Sequence, residues 1–205
     1  DLHSFPTRRS SDLNADGDRL NASGGAKSVT VADGEGGSHV DHESLTGFQL
    51  KHTVYTGPNG GVHDKTVNTP WRHRTASRTR SWGTTSATLT GVGATHTWTA
   101  MDVGAWRQTH SATTHDVVTG LATQVDNQGD TATTADDRCT RTTFAVNSDA
   151  WLRGLPARSE TVSVACAGTP DRATDVITDT RTYYDAGAWG ASDRKSTRLN
   201  SSHER

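Results

Sequence analysis

The stretch that decides the fold is GLATQVDNQGDTATTADDRCTRTTFAVNSDAWLRGLPARSETVSVAC, residues 120–166. Threonine and valine dominate two segments on either side of the loop NSDAWLRGLP at residues 147–156. β-branched residues favour strands, whereas Asn, Asp and Gly favour turns. The stretch therefore predicts a turn at Asp126–Gly129, followed by one long antiparallel hairpin with Cys139 and Cys166 near its feet.

The two cysteines suggest how this hairpin is held together. If the hairpin is centred between Leu152 and Arg153, with Trp151 beside its tip, Cys139 lies directly opposite Cys166. Opposed strand positions bring Cα atoms to about 4.4–6.8 Å, the separation that a disulfide requires. A disulfide and two buried free thiols both remain open, and a disulfide would indicate an oxidising compartment. The chain has no CxxC and no histidine at ligand spacing from these cysteines, which argues against zinc.

Composition limits the size of the core and the kind of partner. The chain has 21 Lys and Arg against 23 Asp and Glu, and its hydrophobic content is only 31%. A weakly acidic chain argues against a nucleic-acid partner for the surface as a whole. Globular domains usually reach about 45–50% apolar residues, counting glycine. The sequence therefore predicts a segment that needs neighbouring sequence for its stability.

The two ends differ from the rest of the chain. Residues 3–13, HSFPTRRSSDL, resemble the translation of a short-read sequencing adapter, and residues 193–203, DRKSTRLNSSH, resemble the translation of its partner. The alternative is a basic tail at each end. Flanks of this origin are excluded from fold reasoning, so residues 1–13 and 193–205 are expected to be disordered. Residues 14–192 would then be an internal piece of a longer protein, with no membrane span in this piece.

Between these ends the pattern is that of strands and turns. Alternation at period two and glycine-rich breaks predict an all-β fold of antiparallel hairpins with little or no helix. The domain organisation predicted is a β-rich segment at 14–96 and a second β segment at 97–192. The run GPNGG at 57–61 predicts a turn. The predicted strands are Ser28–Ala32, a pair within Ser44–Thr56, Val62–Asn68, Trp71–Ser81, Thr84–Thr90 and Ala94–Met101.

A faint internal repeat is present, because DVGAW at 102–106 matches DAGAW at 185–189 in four of five positions. The segment Tyr183-Tyr184-Asp185-x-Gly187 resembles the YD repeat of Rhs proteins. The block from about Thr97 to Ser192 is similar to Rhs proteins of actinobacteria. Tyr184, Asp185 and Gly187 would form a turn in that resemblance, as would Asp126 and Gly129 after the preceding strand.

The resemblance implies a fold and a role. In Rhs proteins the YD repeats form strands of a long sheet that spirals into a hollow shell, commonly around a C-terminal toxin. The chain would be a non-catalytic structural segment of a secreted or cell-surface protein. Its partners would be neighbouring YD repeats of the same parent chain, and an enclosed toxin or a cell-surface carbohydrate. Neither a catalytic residue nor a cofactor is expected.

Two other functions have some basis in the sequence. Six tryptophans could stack on sugar rings, which favours a carbohydrate-binding β module of a cell-wall protein. His39, Asp41 and His42 could serve a metal-dependent hydrolase, although positions i and i+3 of a strand point to opposite faces. Half-exposed polar strand residues explain these histidines as well. The arginines between Trp71 and Trp82 could hold phosphate or stack on bases. A solvated strand face is the favoured explanation, because acidic residues outnumber basic ones elsewhere in the chain.

Overall fold

The structure is a computed structural model of the 205-residue chain, and it describes residues 29–81, 83–102, 104–148, 150–184, 189–190 and 199–200. These residues are almost all β, and the only helical element among them is one 3₁₀ turn at Glu43–Leu45. The prediction of an all-β antiparallel fold is confirmed. The strands are β1 Val29–Ala32, β2 Ser38–Asp41, β3 Lys51–Tyr55, β4 Val62–Arg80, β5 Gly83–Ala100, β6 Trp106–His115, β7 Ala122–Asp130, β8 Arg138–Asn147, β9 Leu152–Val162, β10 Val176–Arg181, β11 Tyr183–Tyr184 and β12 Leu199–Asn200.

The chain divides into two compact units, of which the first comprises residues 1–50 and 69–91. Its β1 and β2 form a hairpin that pairs Val29 with Asp41 and Ala32 with Ser38. At the turn of this hairpin, the Asp33 carboxylate accepts hydrogen bonds from two backbone N–H groups of the turn, at 2.8 and 2.9 Å. Asparagine and aspartate commonly stabilise turns in this way. The same unit contains the C-terminal part of β4, residues 69–80, and the N-terminal part of β5, residues 83–91.

The second unit comprises residues 51–68 and 92–205. The eight-stranded sheet follows chain order from β3 to β10, so each strand lies beside its neighbours in sequence. Such an order needs only hairpin connections. One of these connections is the predicted turn at 57–61, which is confirmed by hydrogen bonds from Thr56 N to Gly61 O and from Gly60 N to Gly57 O.

One predicted strand break is absent from the structure. The break expected between Thr90 and Ala94 does not occur, because β5 runs without interruption from Gly83 to Ala100 between β4 and β6. Glycines tolerate an extended backbone, and pairing with neighbouring strands holds the strand together there. The domain boundary predicted at residues 96 and 97 falls inside this same strand.

The register of the β8–β9 hairpin also differs from the prediction. Cys139 lies opposite Val162, not opposite Cys166, and Asn147 lies opposite Leu152 near the tip. The loop is shorter than predicted, since β9 already begins at Leu152. Two register shifts along the hairpin reduce the displacement from six residues at the tip to four at Cys139. A hairpin's register depends on its turn length and its bulges, and neither was visible in the pattern.

The predicted turn at Asp126–Gly129 is wrong, because these residues lie inside β7. Gly129 instead forms a bulge: it pairs with His110, Asn127 pairs with Ser111, and the residue between them is extra. Gly129 has a φ of 55°, in the left-handed region that glycine adopts at little cost. The same composition that marks a turn therefore marks a bulge here.

Tyr184 is likewise in a strand and not in a turn. It pairs with Leu199, while Tyr183 pairs with Asn200, inside the adapter-like segment. Its ring is buried with Ala145 and Ala157, and its hydroxyl donates to the Pro156 carbonyl at 3.0 Å. Burial raises the pKa of this phenol. Asp185 and Gly187 of the predicted turn lie outside the described residues.

The bulge at Gly129 provides a test of the fold. We expect Gly129→Ala to lower the free energy of unfolding by about 1–2 kcal/mol, because alanine is strained at positive φ. The new Cβ would also collide with the Asp136 carboxylate. Gly57→Ala is the matched control, since a Cβ there meets open space, and we expect a change within about 0.5 kcal/mol. Urea denaturation of both variants measures the difference, and equal midpoints would contradict the assignment.

Candidate functional site

Cys139 and Cys166 form a disulfide in the second unit, with Cα atoms 4.8 Å apart. Cys139 is fully buried within β8, where it pairs with Asp126 of β7 on one side and Val162 of β9 on the other. Cys166 lies in the loop that follows β9. Its N–H donates to the Asp126 carboxylate at 2.9 Å, and its carbonyl accepts from Arg141 Nη2 at 3.0 Å. The disulfide thus fastens the β9–β10 loop to β7 and β8, and it does not join opposed positions of a hairpin.

An ion network lies on β9 and β10. Arg158 donates two hydrogen bonds to Asp179, from Nε at 2.7 Å and from Nη2 at 2.8 Å. Arg158 Nη2 also donates to Glu160, whose side chain is only 8% exposed, at 2.8 Å. Arg172, from the disulfide-fastened loop, pairs with Glu160 and lies 3.9 Å from Asp179. Planar guanidinium groups suit such two-point contacts with carboxylates.

This network was not predicted from the sequence, although part of its signal was present. Arg158 and Glu160 are two residues apart on a predicted strand, and such positions share a face. Asp179 could be placed beside them only once the register of β10 was known, which pairs Asp179 with Glu160. Arg172 lies in a loop, where strand periodicity gives no information about direction.

The network predicts a dependence of stability on acid. The hydrogen bonds from Arg158 lower the pKa of Asp179 below its ordinary value. A carboxyl with a depressed folded pKa contributes stability above its unfolded pKa, about 3.9, and loses it as the pH falls through the folded pKa. We expect Asp179→Asn to be less stable than the parent at pH 7 and to approach it as the pH is lowered below about 4. Thermal unfolding between neutral and acidic pH tests this, and a constant difference at all pH values would contradict it.

Aromatic and basic side chains form a second cluster, on β4, β5 and β6. Lys65 Nζ lies 4.9 Å from the ring centroid of Trp98 and 5.1 Å from that of Trp106. His96 stacks on Trp98 with centroids 4.0 Å apart, and His110 meets His96 edge-on at 5.6 Å. Cations over indole rings and stacked rings each contribute of the order of 1 kcal/mol.

Two further tryptophans lie near arginines. Trp151 has a φ of 56° at the tip of the β8–β9 hairpin and is 75% exposed, with the Arg153 guanidinium 4.5 Å from its ring centroid. Trp189 is half exposed, with Arg181 at 5.8 Å. The tip position predicted for Trp151 is confirmed. Each of these rings therefore has a cation of its own chain within range of a cation–π contact.

The histidines proposed for a metal site have other partners. His39 Nε2 lies 3.1 Å from the Asp33 carboxylate, and His42 Nδ1 accepts a hydrogen bond from Ser44 N at 3.0 Å. His63 contacts the adjacent Asp64. Within the described part of the chain, no group of three or more His, Cys, Asp or Glu side chains is arranged to hold a metal ion. The same residues contain no helix long and apolar enough to cross a membrane.

Comparison of the chain with protein-family models, with curated proteins and with solved structures found no match. The resemblance to Rhs proteins therefore depends on the motifs quoted above. What the geometry adds is a sheet in chain order, together with a fastened loop and an ion network that both lie in the second unit.

Proposed function

We propose that this chain is a non-catalytic structural segment of a secreted or cell-surface Rhs/YD-repeat protein, where it contributes strands to a β-shell that encloses a polymorphic toxin. The observation that carries the proposal is the sheet of eight strands in unbroken chain order. In such a sheet the first and last strands, β3 and β10, are the natural positions for adding neighbouring repeats of the same chain.

The composition of the core supports the same role. Only six hydrophobic residues are buried among those described, and two of them are alanines. Exposed large hydrophobic side chains are more numerous, and they include Val54 and Tyr55 on β3 and Ile177 on β10. Both ends of the sheet therefore present apolar groups beside an open strand edge, as expected if further strands cover them.

The disulfide and the ion network support a structural role in an extracellular protein. A disulfide persists in oxidising compartments, and it restricts the unfolded chain. We therefore propose that the parent protein is secreted or on the cell surface.

Native-state hydrogen exchange tests the proposal. Residues 14–192 would be expressed alone and also within the continuous reading frame of the parent gene, with the flanking repeats attached. We expect the outward-facing amides of β3 and β10 to gain protection in the longer protein, while amides of β6 stay unchanged as the internal control. Equal protection of the edge amides in both proteins would contradict the proposal.

A carbohydrate-binding β module is the competing proposal, and the exposure of Trp106, Trp151 and Trp189 favours it. The cations beside these rings weigh against it, because each one covers a ring face on which a sugar would stack. A glycan array decides between the two. Saturable binding that Trp151→Ala or Trp106→Ala abolishes would support the carbohydrate module over the structural segment.

A further inference from the structure

The eight-stranded sheet is split between β7 and β8, two strands that lie in the second unit. β7 pairs with β8 only from Arg138 to Arg141, whereas β9 accompanies β8 as far as Asn147. In the described part of the chain, residues 142–146 of β8 therefore have a strand beside them on the β9 side only. Such an edge presents N–H and C=O groups without strand partners.

The cause of the split lies in β7. Thr114 pairs with Gln124 and His115 pairs with Ala122, so Thr123 is an extra residue that forms a bulge. A bulge bends its strand, which here separates the start of β7 from β8. The preceding loop reaches towards β9, where a Cβ added at Gly154 would lie 3.9 Å from Leu121 Cδ1.

A groove of about 520 Å³ occupies the gap, lined among others by Asp116, Thr123, Thr142, Thr143, Phe144 and Arg153. Thr142 and Thr143 are consecutive in β8 and point to opposite faces of the sheet, yet both line the groove. The groove thus passes between the strands instead of resting on one face. Five residues of strand, about 17 Å long, fit along this edge of β8.

The groove has an apolar wall, and its charged side chains are mostly positive. Phe144 and the exposed Val146 provide the apolar wall. Arg141 and Arg153 line it against the single carboxylate of Asp116, whose Oδ1 already accepts from Val118 N, Thr119 N and Thr119 Oγ1. Arg153 Nε is buried and has no hydrogen-bond partner among the described residues. A buried N–H without an acceptor destabilises the protein, so a ligand that provides an acceptor at this position gains binding free energy.

We propose that this groove binds an extended peptide of another polypeptide, which adds as a strand to residues 142–146 of β8 and places an acidic side chain at Arg153. Main-chain hydrogen bonds to the open edge provide affinity, and the carboxylate and flanking apolar side chains provide selectivity. This binding goes beyond the structural role proposed above, and it does not depend on that role.

The test uses the full 205-residue chain, labelled with ¹⁵N, and three short probes. These are the acetylated and amidated peptide TVEVT, its lysine counterpart TVKVT, and TVEVT with alternate backbone nitrogens methylated. We expect TVEVT to shift the amides of residues 142–146 and Arg153 with a Kd of about 1 mM or tighter. Arg153→Gln should weaken it about tenfold, the loss of one charge-assisted hydrogen bond. Arg78→Gln, an arginine of β4 that does not line the groove, should leave it unchanged.

Several outcomes would overturn the proposal. They are binding of TVKVT as tight as that of TVEVT, binding that survives backbone methylation, shifts confined to β3 or β10, and the absence of saturation. Hydrogen exchange of the chain without peptide can give one further outcome that overturns the proposal. If the amides facing the gap are already protected, a segment of the same chain or a second copy fills the groove, and concentration dependence separates those two.

Discussion

Replacing both cysteines by alanine, Cys139→Ala with Cys166→Ala, is expected to lower the free energy of unfolding by about 3–4 kcal/mol. The two residues are 27 apart in sequence, and the disulfide restricts the unfolded chain over that loop. It also fastens the β9–β10 loop, so its loss removes the anchor that holds the Cys166 N–H at Asp126. The measurement is equilibrium unfolding in urea with and without reductant.

The reductant supplies the control for this prediction. Reduction of the parent protein should reproduce the loss, while the double variant should not respond to reductant at all. A parent protein whose midpoint is insensitive to reduction would show that the loop is held without the disulfide, and it would contradict the prediction.

Removing the charge of Glu160 is expected to have the second largest effect. Glu160 is 6% exposed and accepts from Arg158 while pairing with Arg172. We expect Glu160→Gln to cost about 2–3 kcal/mol, since hydrogen bonds to charged groups are worth about 1.5–3 kcal/mol and two arginines lose the negative charge that they share. The ion pair between Arg158 and Asp179 remains in this variant. The loss of stability is therefore smaller than for a buried charge that is left without any partner. Urea unfolding at pH 7 measures this change in the free energy of unfolding.

A substitution at an exposed carboxylate is the control for Glu160→Gln. Asp102→Asn removes one carboxylate from an exposed residue between β5 and β6, and we expect a change within about 0.5 kcal/mol. If Glu160→Gln is as mild as Asp102→Asn, the network is an arrangement of surface charges with little influence on stability.

The two large effects depend on the same loop. Residues 163–175 carry Cys166 at one end and Arg172 near the other, so one segment provides both the covalent link and a cation of the network. The peptide groove is lined by β8, which the disulfide connects to this loop. For this reason, stability and binding should be measured on the same variants.

The sequence by itself determined the all-β class, because threonine, valine and glycine are local signals that act within a few residues. It also located the turn at 57–61 and placed Trp151 at the tip of the β8–β9 hairpin, because both loops contain several residues that favour turns. Cys139 and Cys166 could be selected as a pair because the chain has only two cysteines.

Only the tertiary structure decided the register, and with it most of the candidate site. The bulges at Thr123 and Gly129 shift pairing by one residue, and a shift of that size moves every following side chain to the other face. The sequence pattern of a bulge matches that of a turn, as Asp126–Gly129 illustrates. The partners of Cys166, Glu160 and Arg172 come from distant segments, so they depend on how whole strands align and not on any local preference.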